Sequence, residues 1–119
     1  MKQGKYKIEY THSSREDIRA KKLYILKKFK YREYADNYSK KMKAAAESLK
    51  TLPRGYDTTG FRYRGYEIYL KPYHTYQFFF VINEVTKTVT ILRVLQDGMN
   101  WRMLLKQWLC ENEFFYKRF

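Results

Sequence analysis

The chain predicts an α+β fold: an N-terminal strand, a helical hairpin, an antiparallel meander and a short C-terminal helix, in the order β-α-α-β-β-β before that last helix. Three observations carry this reading. Between residues 18 and 49 apolar side chains recur at three- and four-residue steps, the spacing of amphipathic helices. From Phe61 to Leu95 they alternate, or run in short aromatic and β-branched blocks, as strands do. No linker, internal repeat or low-complexity stretch interrupts the 119 residues, so 1–119 reads as one domain, long enough to bury roughly two thirds of the surface its unfolded form exposes.

Each element has its own signal. In "KYKIEY", residues 5–10, charged residues alternate with Tyr6, Ile8 and Tyr10, which predicts a strand with one buried face. "THSSRED" offers Ser13 or Ser14 as an N-cap, with Glu16 and Asp17 in the first turn, where the helix dipole favours negative charge. Down that helix Ile18, Ile25, Leu26 and Phe29 share a side from which Arg15, Arg19, Lys22 and Lys27 largely stay away. A second helix carries a continuous stripe of Tyr31, Tyr34, Ala35, Tyr38, Met42, Ala45, Ala46 and Leu49, which predicts core packing. Pro53 cannot continue it, and Gly55 and Gly60 punctuate the loop "LPRGYDTTG". "FRYRGYEIYL", with a break at Gly65 left open, "YQFFFVINE" and "TVTILRVL" then form the meander. Met103, Leu104, Gln107, Trp108 and Cys110 or Glu111 fall on helical spacing at the end. The helices are expected to cover one sheet face.

Composition narrows the function. A formal net charge of +13, from 25 Lys and Arg against 12 Asp and Glu, makes a surface that attracts polyanions: nucleic acid, a ribosome, an acidic protein or an anionic membrane. A solvated basic exterior is the plain alternative. One cysteine, Cys110, rules out an internal disulfide, and with two histidines, His12 and His74, a protein-only metal site is not expected. No stretch reaches the roughly 18 apolar residues that span a bilayer, and the N-terminus lacks a signal-peptide core, so a cytoplasmic protein without membrane attachment is expected.

No dinucleotide fingerprint and no Walker A sequence occurs, and His12 beside Ser13 and Ser14 has no third residue to complete a triad. No cofactor is expected. What remains for an enzyme is metal-independent chemistry on a polyanion, in which cations stabilise phosphate charge and a side chain moves a proton. RNA would supply its own 2′-hydroxyl nucleophile. Arg62, Arg64, Lys71, His74 and Arg93 are available on the sheet side, although exposed strands also carry cations to block edge pairing. Arg93 lies inside an apolar run, where a guanidinium needs a partner; Glu67 or Asp97 is the expected one.

Several strings in this order resemble the RelE/ParE superfamily of bacterial type II toxins. "YKIEYTHSSREDIRAKKLYI" resembles the family's opening strand and first helix, and "AAAESLKTLP" the end of its second helix. "YQFFFVINEVTKTVTILRVLQDGMNW" is similar to its closing hairpin, where an arginine, Val-Leu and a polar turn end the last strand. The resemblance spans roughly residues 5–105. It implies a two-layer fold like that of small microbial ribonucleases, a toxin that inhibits growth, and a cognate acidic antitoxin that wraps it in a hetero-oligomer.

The superfamily divides by target. RelE-like members cleave mRNA on the ribosome, while ParE-like members poison DNA gyrase. Glu67, Tyr69 and Gln77 stand near places where the nucleases carry Lys, Lys and Arg, and "LRVLQDGMNW" matches the ParE-like closing strand, so the resemblance favours gyrase. The RelE-like alternative would place Arg64, Lys71, His74 and Arg93 in a rearranged catalytic site, with Arg62 and Trp101 touching target or base. Tyr31, Tyr34, Tyr38, Phe114 and Phe115 are the candidate antitoxin anchors. A third class is a general nucleic-acid-binding module, recognised by salt-dependent binding without growth arrest.

Overall fold

In the computed structural model, which describes residues 5–114, strand β1 (Lys7–Tyr10) leads into helices α1 (His12–Phe29) and α2 (Arg32–Glu47). Four strands follow, β2 (Asp57–Tyr63), β3 (Tyr66–Tyr73), β4 (Tyr76–Asn83) and β5 (Thr88–Gln96), then α3 (Trp101–Leu109) and a π-helical turn, Cys110–Phe114. The α+β class and element order are as the sequence predicts, with one refinement: the break at Gly65 is a full turn. Arg64 and Gly65 both take positive φ (52° and 87°), the backbone of a two-residue hairpin turn, so one long strand becomes the β2–β3 hairpin. β2 also begins at Asp57, inside the expected loop. Gly60, at φ 89°, sits where the β2–β3 register shifts, and glycine accepts the left-handed backbone of that bulge.

Sheet order is β1-β5-β4-β3-β2, antiparallel except for β1, which runs parallel to β5. Because side chains alternate across the sheet, neighbouring phenylalanines of β4 serve opposite cores. Phe78 and Phe80 pack under the helical hairpin with Tyr38, Met42, Ala45, Ala46 and Leu49, as the α2 stripe predicts for these residues, while its first two members, Tyr31 and Tyr34, are exposed instead of buried. Phe79 and Val81 point the other way, against Leu105, Trp108 and Leu109 of α3. The hairpin covers one face and α3 part of the second. α3 meets the sheet one residue away from the predicted face, since Leu105 is buried and Met103 exposed.

The N-cap of α1 is Thr11, not Ser13 or Ser14. Its hydroxyl accepts from the Ser14 amide (3.1 Å) and donates to the Leu92 carbonyl (2.8 Å), capping the helix and continuing the β5 edge where β1 ends. That second bond depends on strand pairing, which local sequence does not record. Asn100 caps α3 by accepting from the Met103 amide. Between α1 and α2 the turn is Lys30, left-handed at φ 62°, and Tyr31. No helix of the described residues is long and apolar enough to cross a membrane.

Candidate functional site

The arginine of the apolar run is explained by a bulge. β4 and β5 pair Phe80 with Ile91 but Phe79 with Arg93, so Leu92 is an extra residue in β5. The interruption lets Arg93 reach α1, where its Nε and Nη2 donate to the two carboxylate oxygens of Asp17 (2.7 and 2.8 Å). Asp17 also accepts from the Val94 amide (2.9 Å). The expected partners were wrong: Asp97 lies in the turn beyond β5, and Glu67 faces Arg62 across the β2–β3 hairpin (3.8 Å). With side chains only 20% and 16% exposed, the Arg93–Asp17 pair is a fork-shaped clamp that fastens α1 to the bulged strand.

Next to this clamp, at the sheet end bearing the β3–β4 turn, rings collect. Tyr38 of α2 and Tyr76 of β4 lie with centroids 5.6 Å apart. On one side of this pair a cavity of ≈370 Å³ is lined by Tyr34, Asn37, Lys41, Tyr73 and His74. On the other a cavity of ≈310 Å³ is lined by Lys21, Tyr24, Gln96, Met99 and the Asp17–Arg93 clamp. Burial pushes the phenols of both Tyr38 and Tyr76 up from their ordinary value, so they remain neutral O–H groups at physiological pH. His74 takes a left-handed backbone (φ 54°) in the two-residue turn and meets Tyr73 edge-on at 4.5 Å. Neither Lys21 nor Lys41 forms an ion pair among the described residues; Lys21 donates to the Gln96 side chain (3.2 Å).

The rings continue onto the tip of the helical hairpin. Phe29 and Tyr34 meet edge-on at 5.4 Å, as do Tyr31 and Tyr34 at 5.6 Å. Tyr24, Phe29, Tyr31 and Tyr34 are each about half exposed or more, and Lys21 and Lys28 stand over the Tyr24 ring at 4.6 and 5.6 Å. Apolar area this open on a charged surface is of the kind that marks contact sites in other proteins.

Of the residues singled out in the sequence, the structure brings together Tyr34, Tyr38 and His74, with Tyr31 against Tyr34 and Arg93 on the far side of the Tyr38–Tyr76 pair. It does not join the rest. Arg64 lies in the β2–β3 turn and His74 in the β3–β4 turn, at opposite ends of β3, so roughly 25 Å of strand separates them. The Lys71 ammonium donates to the Tyr56 hydroxyl (3.1 Å) and stands over its ring. Arg62 is on β2, at the sheet's outer edge. Trp101 packs against Phe61 and Phe79 under α3. Phe115 lies outside the described residues, and Phe114 closes them. Sequence reasoning missed Lys21, Tyr24, Lys41, Tyr73, Tyr76 and Gln96. "PYHTY" held a signal, since a strand–turn–strand reading sets Tyr73 opposite Tyr76 around His74.

The β4–β5 end is built differently. Glu84 accepts from the Tyr6 hydroxyl (2.9 Å), from Lys87 (3.1 Å) and from Arg54, which also donates to the Tyr69 hydroxyl (3.1 Å). The hydrogen bonds of Arg54, Lys87 and Tyr6 hold the Glu84 carboxyl down at about 2. Among the described residues no group of three or more His, Cys, Asp or Glu could hold a metal ion.

No protein-family model matches the chain, and no curated protein does. Solved structures do. One from the chromosomal ParDE TA system of P. aeruginosa aligns at a TM-score of 0.61 with 12% identity, covering 81% of this chain and 100% of its own. One from the RelBE2 toxin–antitoxin complex of Mycobacterium tuberculosis aligns at 0.54 with 19% identity, over 82% of this chain and 98% of its own. One from the archaeal RelE–RelB complex of Pyrococcus horikoshii OT3 aligns at 0.50 with 16% identity, over 79% and 97%. The chain has the fold of the RelE/ParE superfamily.

Proposed function

We propose that the protein is the toxin of a type II toxin–antitoxin pair, acting in the cytoplasm by binding and blocking a macromolecular target, with DNA gyrase favoured over ribosome-bound mRNA. The fold and the +13 charge support a toxin that meets a large anionic or acidic partner. One observation supports blocking over cleavage: the cations expected to build a phosphate site are dispersed. Arg64 and His74 stand at opposite ends of β3, Lys71 is engaged by Tyr56, and Arg93 is neutralised by Asp17. A metal-independent nuclease needs its cations and its proton carrier within reach of one phosphate.

The cognate antitoxin in this reading is acidic and docks on the hairpin tip, with Tyr31 and Tyr34 as anchors among lysines. Tyr38, nearly buried, would contribute through the cleft wall. The test runs two assays side by side: gyrase supercoiling, and mapping of mRNA ends in a translating extract, each with added protein. Blocked supercoiling with intact mRNA is the expected result. Codon-positioned cuts that vanish in His74→Ala, with supercoiling untouched, would replace it with the RelE-like mechanism.

A further inference from the structure

We propose that the furrow between α1 and α2, reaching Tyr10 at the end of β1, binds one free fatty acid of medium chain length, its alkyl chain over Ile18 and Met42 and its carboxylate between Arg15 and Lys43. The site is independent of the toxin reading. The furrow holds ≈390 Å³, within the size range of small-ligand sites. Its α2 residues Ser39 and Lys43 stand on another side of that helix from Asn37 and Lys41 of the Tyr38–Tyr76 cleft. From Arg15 to Lys22 it follows about 10 Å of α1, a length suited to an extended alkyl chain.

The two ends of the furrow differ in charge. Toward the middle of α1 the cations are answered, Arg19 by Glu16 (3.4 Å) and Lys22 by Asp36 (3.8 Å), and their methylene stems add apolar surface to Ile18 and Met42. At the other end neither Arg15 nor Lys43 forms an ion pair among the described residues, and Arg15 lies over the Tyr10 ring at 5.7 Å. Burial, then the charge of Glu47, pushes the Tyr10 phenol up, so it stays a neutral donor at physiological pH. Glu47, the one acid in the lining, is taken by Lys50. A monoanionic head and an unbranched apolar tail match this division. A peptide would need partners for its backbone N–H and C=O groups, and the lining offers few besides Ser39 and Tyr10. A second copy of the chain carries the same +13 charge and is repelled.

The test is isothermal titration calorimetry with decanoate below its micelle concentration, beside octanoate, decanol and decylammonium. Decanoate is expected to bind at one site, and octanoate more weakly by between about two- and fourfold for each methylene lost. Arg15→Gln/Lys43→Gln should weaken decanoate about tenfold and leave decanol unchanged, while Lys27→Gln, which removes an exposed cation of α1 outside the furrow, binds like the parent. Ser39→Phe, which fills the furrow from α2, should abolish binding in a protein whose thermal unfolding stays cooperative. Absence of saturable binding, uptake at many sites indifferent to Arg15→Gln/Lys43→Gln, or equal binding of decanol or decylammonium would each overturn the site. So would displacement of decanoate by an acidic peptide of about ten residues at lower concentration than octanoate, which would assign the furrow to a protein segment. None of these outcomes bears on gyrase inhibition, which is read separately.

Discussion

The two ends of the sheet use the same residue types to opposite effect. At the β4–β5 end, Tyr6, Arg54 and Lys87 converge on one carboxylate, Glu84, and the cations are answered. At the β3–β4 end, Tyr24, Tyr34, Tyr38, Tyr73 and Tyr76 gather with Lys21 and Lys41, and the one carboxylate lining the cavities, Asp17, is already taken by Arg93. Polar groups that satisfy one another stabilise the fold and offer little to a ligand. Rings left half open beside lysines that pair with no carboxylate among the described residues leave contacts open to another molecule. The difference fits a structural role at one end and the proposed recognition role at the other.

The sharpest break of this comparison lies in the core beneath both ends. Phe80→Ala empties a site that is fully buried under the hairpin, and should cost about 3–5 kcal/mol in urea denaturation. Asp17→Asn comes next. It leaves the Arg93 guanidinium without its counter-charge and weakens the bond to the Val94 amide, for about 2–3 kcal/mol, less than a fully dry pair because both side chains keep some solvent contact. A double-mutant cycle with Arg93→Leu should return most of that loss as coupling energy. If Asp17→Asn were neutral, the clamp would be a surface ion pair of little consequence.

The Glu84 network gives a smaller, pH-dependent effect. Its carboxyl is held at about 2 in the folded protein against an unfolded value of 4.5. A depressed folded value means that the stabilisation is fully present above the unfolded value and is lost as pH falls from about 4.5 towards 2. The difference in melting temperature between parent and Glu84→Gln should therefore be present at pH 7 and shrink across that window. A difference constant from pH 7 to 2 would contradict the network's role. Smallest of all is the expected stability change of Tyr31→Ala with Tyr34→Ala, within about 0.5 kcal/mol, because both rings are exposed. On the proposed reading their effect is expected in antitoxin binding, measured by calorimetry.

Much of the fold was legible because it rests on periodicity. The α2 stripe from Ala35 to Leu49 and the β4 run "FFFVI" report burial directly, whatever their partners are. What could not be read depends on register. Arg93 looked like a strand residue in need of an acid nearby in the sheet, but the extra residue Leu92 redirects it to Asp17, 76 positions away. Asp17 in turn looked like a first-turn residue serving the helix dipole, while its main partner is a strand. Thr11 shares this history, since its second bond is to β5. The cleft was half legible: Tyr34, Tyr38 and His74 stood out singly, but their assembly with Tyr73 and Tyr76 needed both the helix docking and the cross-strand pair. Arg64 and Lys71, grouped with His74 by proximity in sequence, were separated by the strand's length and by the Tyr56 hydroxyl.

The central claim, that the ring-and-lysine end is where this protein meets its target, has a direct measurement. Growth of a bacterial culture is followed after induction of the parent chain and of a folded Tyr34→Leu/Lys41→Ala variant at matched expression. Arrest by the parent and near-normal growth with the variant is the predicted result. Equal arrest by both would move the active surface elsewhere, and harmless expression of the parent would contradict the toxin reading itself.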